Sequence, residues 1–204
     1  MENKLTFNGI ISESFAIALK NIASIIGAVI LWILTIWIPY INVGTTIAII
    51  SMPIELSKGK IMSPTAIFDA KYRKYMGEFF ILVALMEIGI TVAYVFLVIP
   101  GIVISIAWSL AIYLLLDKGM EPLDAIKKSN DFTYGYKWTI FFAKIVLAIV
   151  PFIVIWIGSA IGGFIGVIIE LIGLIFLMPL IIAADSVIYK NLTGGSTQTT
   201  TETE

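Results

Sequence analysis

The chain has no cysteine and no histidine. That excludes thiolate nucleophiles, disulfides, Cys/His zinc sites, imidazole-ligated haem and a Ser-His-Asp triad, since each needs a thiolate or an imidazole. Carboxylates, lysine, tyrosine and hydroxyls are the reactive groups left, and no enzyme activity, cofactor or metal site is expected. Charge is scarce too. The 13 Lys and Arg and 14 Asp and Glu among 204 residues leave a net charge of -1, which offers nucleic acid no basic field. The N-terminal MENKLTFNGIISESF holds one lysine before polar residues, and the first apolar run outlasts a signal-peptide core, so no cleavage is expected.

What the chain has in abundance is apolar surface. Hydrophobic residues make up 59% of it and the mean hydropathy is +1.02, more than a soluble core of this size can hide. Residues 79–116 are the centre of the pattern: two apolar runs, 79–99 and 101–116, with Glu87 as the only ionised side chain. Each run crosses or nearly crosses a hydrocarbon core of about 30 Å as a helix. Pro100-Gly101 is expected to supply the turn between them, because Pro ends a helix and Gly tolerates a tight reversal.

Residues 5–20 are amphipathic and predict an interfacial helix before a first span over 22–38. The return, 41–56, is short and unusually polar, with Asn42, Thr45, Thr46, Ser51 and Glu55, so it belongs inside the bundle, where neighbouring helices satisfy those groups. Ser63-Pro64 starts a short interfacial helix over 65–75, and Pro122 opens another within 117–137. Spans over 138–157 and within 161–188 follow, with kinks expected at Pro151 and Pro179. The polar stretch 193–204 has nothing to bury and is expected to be a disordered cytoplasmic tail.

These pieces repeat three times at a period of about 60 residues, each an interfacial helix plus a hairpin. Lys and Arg fall at the N-terminus, in the two long connections, near the start of the fifth span and after the sixth; the three short turns hold none. By the positive-inside rule both termini are cytoplasmic, which requires an even number of spans. The expected fold is therefore all-α: a polytopic membrane bundle of six transmembrane helices in three hairpin units with short interfacial amphipathic helices, one domain over 1–192.

Ile99-Pro100-Gly101, the array Ala125, Ser129, Gly135 and Trp138, and Tyr189 with Leu192 carry a resemblance over roughly the C-terminal half. On these residues the chain resembles a prokaryotic family of uncharacterised multi-pass membrane proteins, itself similar to the membrane domain that precedes the catalytic domain in some glycerophosphodiester phosphodiesterases. The resemblance implies a six-helix plasma-membrane protein without a known activity. The phosphodiesterase motifs, with their His and metal-binding carboxylates, are absent from this chain.

Three groups of residues are candidates for function. Glu87, with Thr91 and Tyr94 on its face, and Glu170 lie within apolar runs, where an ionised carboxylate costs about 3 kcal/mol or more. They read either as groups hydrogen-bonded across two helices or as proton or cation sites with Lys144 as counter-charge. Gly158, Gly162, Gly163, Gly166 and Gly173 permit close helix approach, either within the bundle or at a seam with a second copy or another membrane protein. Lys71, Arg73 and Lys74, with Lys127 and Lys128, either hold anionic lipid head groups or simply set topology. Two functions follow: a non-catalytic module that engages membrane lipids or partner proteins, which is preferred, or a small transporter or channel built on the intramembrane carboxylates.

Overall fold

A computed structural model describes residues 5–61 and 63–194. Lys4 and residues 195–204 of the expected tail lie outside them. Among the described residues all regular structure is helical: α1 Phe7–Thr35, α2 Pro39–Ser57, two 3-10 turns at Pro64–Phe68 and Ala70–Arg73, α3 Met76–Phe96, α4 Val98–Ala107, α5 Ala111–Lys118, α6 Pro122–Thr133, α7 Lys137–Ile161 and α8 Gly163–Thr193. Five stretches are long and apolar enough to cross a membrane: α1, α3, α4 with α5, α7 and α8.

The sixth expected span, α2, does not reach that apolarity, yet it is deeply enclosed: Thr45, Ile47, Ala48, Ser51, Met52 and Ile54 are all buried. Its polar groups find partners inside the protein, as the sequence suggested. Thr45 shares a 2.9 Å hydrogen bond with Thr35 of α1, Trp32 donates to Thr46 at 2.9 Å, and Ser51 donates to the Ala48 carbonyl at 2.9 Å. Pro39 stands at the first helical turn, where its missing N–H costs nothing.

Three expectations are corrected. The amphipathic residues 5–20 and the first span are one helix of 29 residues, capped by Thr6 through the Gly9 N–H at 3.2 Å. Asn21, at the expected junction, is buried and donates back to the Ile17 carbonyl at 2.8 Å, so it continues the helix instead of ending it. The 65–75 helix is instead two 3-10 turns separated by Asp69, whose backbone is extended and whose carboxylate accepts the Lys71 N–H at 3.0 Å. This connection packs along the first hairpin, since a Cβ on Gly27 of α1 would come within 2.8 Å of Pro64 and one on Gly44 of α2 within 3.2 Å of Arg73.

The third correction concerns the central turn. The break falls at Leu97, which is extended, and Pro100 lies inside the first turn of α4, where three or four N–H groups have no helical acceptor anyway. Gly101 lets α4 approach the Tyr94 ring, which a Cβ would strike. The returning span is also interrupted, at 108–110, and α6 repairs the gap. Ser129 accepts the Leu110 N–H at 3.0 Å and donates to the Ala107 carbonyl at 2.7 Å, while Thr133 reaches the same carbonyl at 3.3 Å.

Burial is concentrated at the end of the molecule where the charges lie. Leu180, Ala183, Ala184, Val187 and Tyr189 of α8 pack there with Ile10, Ala18 and Ile25 of α1, Ile47 and Met52 of α2, Leu114 and Leu115 of α5 and Ile140 of α7. The opposite end of the α7–α8 hairpin stands clear, with Trp156 and Phe164 at 71% and 82% exposure. Such a contiguous apolar surface is incompatible with water and natural in lipid.

Candidate functional site

Near the charged end each hairpin's returning helix carries one acid, and each acid is paired with lysine. Glu55 of α2 takes Lys71 on one oxygen at 3.3 Å and Lys60 on the other at 3.5 Å. Asp117 of α5 pairs with Lys58, and Asp185 of α8 pairs with Lys144 of α7 at 2.5 Å. The last two acids are tied together by an exchange of tyrosines. Tyr113, one turn before Asp117, donates to Asp185 at 3.1 Å; Tyr189, one turn after Asp185, donates to Asp117 at 2.6 Å. The two rings meet edge to face with centroids 5.7 Å apart. Since α5 contributes Tyr-x3-Asp and α8 Asp-x3-Tyr, the i,i+4 spacing puts both groups of each helix on one face, and the two faces complement each other.

Beside this network, α2, the second 3-10 turn and the end of α5 enclose a cleft of about 240 Å³. Glu55, Lys71, Tyr72, Lys74, Tyr75 and Asp117 supply its polar wall, with Ile54 and Leu116 as apolar contacts. Partial burial works against the charge on Lys71, but Tyr72 and Glu55 outweigh it and hold its amine above the usual lysine value. Burial pushes the Tyr72 phenol up, with Lys71 opposing.

The sequence-predicted residues are distributed differently from expectation. Glu87 is exposed on α3 and has no hydrogen bond or ion pair among the described residues; its cavity is lined by Glu87, Ile88, Thr91 and Val92, all from the same helix. The bond across two helices that one of its two readings requires is not formed among the described residues. Thr91 is exposed beside it, and Tyr94 covers Gly101. Glu170 lies in the α7–α8 contact, where a Cβ on Gly158 would sit 2.8 Å from its Cγ. Lys144, expected to oppose these carboxylates, serves Asp185 instead.

The glycines divide by role. Gly158, Gly166 and Gly173 are buried between α7 and α8, which makes them packing positions within one hairpin. Gly162 and Gly163, at φ +66 and +61, form its turn and meet nothing a Cβ would touch. Of the basic residues, Lys71 and Lys74 reach the cleft. Arg73 turns inward against Gly44 with its guanidinium 5.7 Å from the Tyr40 ring centroid. Lys127 pairs with Asp124 at 3.7 Å and Lys128 lies over Phe132, so both are held by α6 itself.

Sequence reasoning passed over Asp117, Asp185, Tyr113 and the pairing of Tyr189, because these partners stand 72 residues apart. The mirrored Tyr113-x3-Asp117 and Asp185-x3-Tyr189 spacings were the available signal. Comparison with family models, curated proteins and solved structures finds no match for this chain.

Proposed function

We propose that the protein is a non-catalytic, multi-pass module of a prokaryotic plasma membrane, with both termini cytoplasmic, which engages lipids or partner proteins at its cytoplasmic face. The observation that carries this reading is the division of the surface. The α3, α7 and α8 helices expose an apolar belt through Phe80, Ile88, Val95, Phe152, Trp156 and Phe164, while Lys58, Lys60, Lys71, Lys144 and Lys190 gather around acids at the other end. Positive charge on one side of an apolar belt is the arrangement of an inner-leaflet boundary. Six spans, with α2 as the enclosed sixth, keep both long connections on that side. The competing transport reading needs Glu87 and Glu170 to line one conduit; the first reading is favoured because Glu87 is exposed in a hollow lined by α3 alone while Glu170 lies in the α7–α8 contact.

Single cysteines test the placement, because the native chain has no thiol. A cysteine at Ser159, beside the exposed α7–α8 tip, is expected to react with an impermeant thiol reagent in intact cells. Cysteines at Lys60 and Asp124 are expected to react only after the cells are opened. The reverse pattern at any of the three sinks the topology.

A further inference from the structure

The cleft between α2 and the second 3-10 turn has its carboxylates paired and two of its donors free. Both oxygens of Glu55 are engaged by Lys60 and Lys71, and both of Asp117 by Lys58 and Tyr189. The Ser51 hydroxyl is directed to the Ala48 carbonyl. Against these stand two donors without an acceptor. The Tyr72 hydroxyl is buried, in a side chain that is 6% exposed, and makes no hydrogen bond of ordinary geometry, although the Lys71 amine and the Ser51 hydroxyl stand near it. Lys74 has no carboxylate partner among the described residues and lies 4.7 Å from the Tyr75 ring centroid. A buried donor left unsatisfied is costly, so a wall whose two carboxylates are already paired with lysines and whose remaining polar groups are donors is complementary to a group rich in acceptors and negative in charge.

We propose that this cleft binds the phosphate of an anionic phospholipid head group, with Lys74 and Lys71 as cations and the Tyr72 hydroxyl as donor. The inference rests on the lipid-engaging reading above and names its ligand. A volume of about 240 Å³ is room for about eight waters, enough for a phosphate and its ester carbons. Two features favour a lipid over free phosphate. Ile54 and Leu116 give the cleft an apolar side. In addition α3 begins at Met76, immediately beyond Tyr75, and exposes Phe80 and Ile81 one turn further on, so acyl chains leaving the cleft meet an apolar helix surface.

The test uses the full chain in a non-ionic detergent, with phosphatidic acid added to the micelles and binding read by native mass spectrometry and by the rise in melting temperature. Tyr72→Phe keeps the ring and Lys74→Ala removes an exposed amine, so both variants are expected to melt like the parent without lipid. The Tyr72→Phe/Lys74→Ala double variant is expected to weaken phosphatidic acid binding about tenfold or more, the loss of one charge-assisted and one buried hydrogen bond. Lys127→Ala, which removes the same charge from α6, is expected to leave binding unchanged. Equal weakening by the double variant and Lys127→Ala would overturn the site while leaving general lipid engagement standing. Inorganic phosphate or glycerol 3-phosphate binding as tightly as the lipid would overturn the lipid as ligand. Absence of any phosphatidic acid binding by the parent would remove lipid engagement itself.

Discussion

The contact between α7 and α8 gives the most direct test of the fold, through Gly166→Leu. A Cβ on Gly166 would strike the Gly158 carbonyl oxygen, and a Cβ on Gly158 would lie 2.7 Å from the Gly166 carbonyl and 2.8 Å from the Glu170 nitrogen. Two turns further from the tip, a Cβ on Gly173 would be 3.0 Å from the Pro151 carbonyl. These obstacles are backbone atoms, which cannot rotate away as a flexible side chain does. Insertion there must push the two helices apart by more than half an ångström along much of their contact. The expected loss is about 1–3 kcal/mol from overpacking. Val167→Leu, one position round the helix at a half-exposed site, is expected to stay within about 0.5 kcal/mol of the parent. Gly163→Ala separates strain from packing, because its φ of +61 disfavours a side chain while no atom stands in the way; about 1 kcal/mol is expected there. Unfolding of the detergent-solubilised protein by a denaturing surfactant measures all three. If Gly166→Leu unfolds with Val167→Leu, the hairpin is not packed as described.

Ser129→Ala removes the acceptor of the Leu110 N–H and one of two donors to the Ala107 carbonyl, which keeps Thr133, and is expected to cost about 1–3 kcal/mol; a silent substitution would mean that water or another group closes the gap. Lys144→Met leaves Asp185 with only Tyr113 and is expected to destabilise by about 1–3 kcal/mol, whereas Lys144→Met/Asp185→Asn recovers most of that loss. Failure of the double variant to recover would show that the two residues are not coupled. Glu87→Gln and Glu87→Ala are both expected within about 0.5 kcal/mol of the parent, since no partner is lost; a penalty confined to the alanine variant would reveal a hydrogen-bonding neighbour supplied by another chain.

Hydropathy made most of the helices legible, because a run of apolar residues is the same signal whether or not its neighbours are known. It was weaker at breaks. Pro100 predicts a turn by sequence, yet proline is tolerated throughout the first helical turn, so it marks the start of α4 and the reversal lies at Leu97. Asp69 carried the opposite lesson: a short polar residue that captures the N–H two positions on divides the expected 65–75 helix into two turns. Asn21 has the same competing chemistry and does not break α1, because its side chain bonds back to Ile17 within a buried contact. Local sequence does not distinguish those two outcomes; the packing around each residue does.

The site was less legible than the fold for a related reason. Glu87 and Glu170 stand out in the sequence because a carboxylate deep in an apolar run is costly in isolation. Glu55, Asp117 and Asp185 lie near the ends of their runs, where a charge looks ordinary. Their distinction is that each is largely buried, with side-chain exposure of 17%, 7% and 14%, and each holds a lysine from elsewhere in the chain. What separates a functional or structural carboxylate from a topological one is thus the number of partners that converge on it, and convergence across 59 or 72 residues appears only when the hairpins are assembled. The lysines divide in the same way. Lys58, Lys60 and Lys144 are committed to those acids, Lys71 stands between Glu55 and the cleft, and Lys74 is the cation left without a carboxylate among the described residues, available to the proposed ligand.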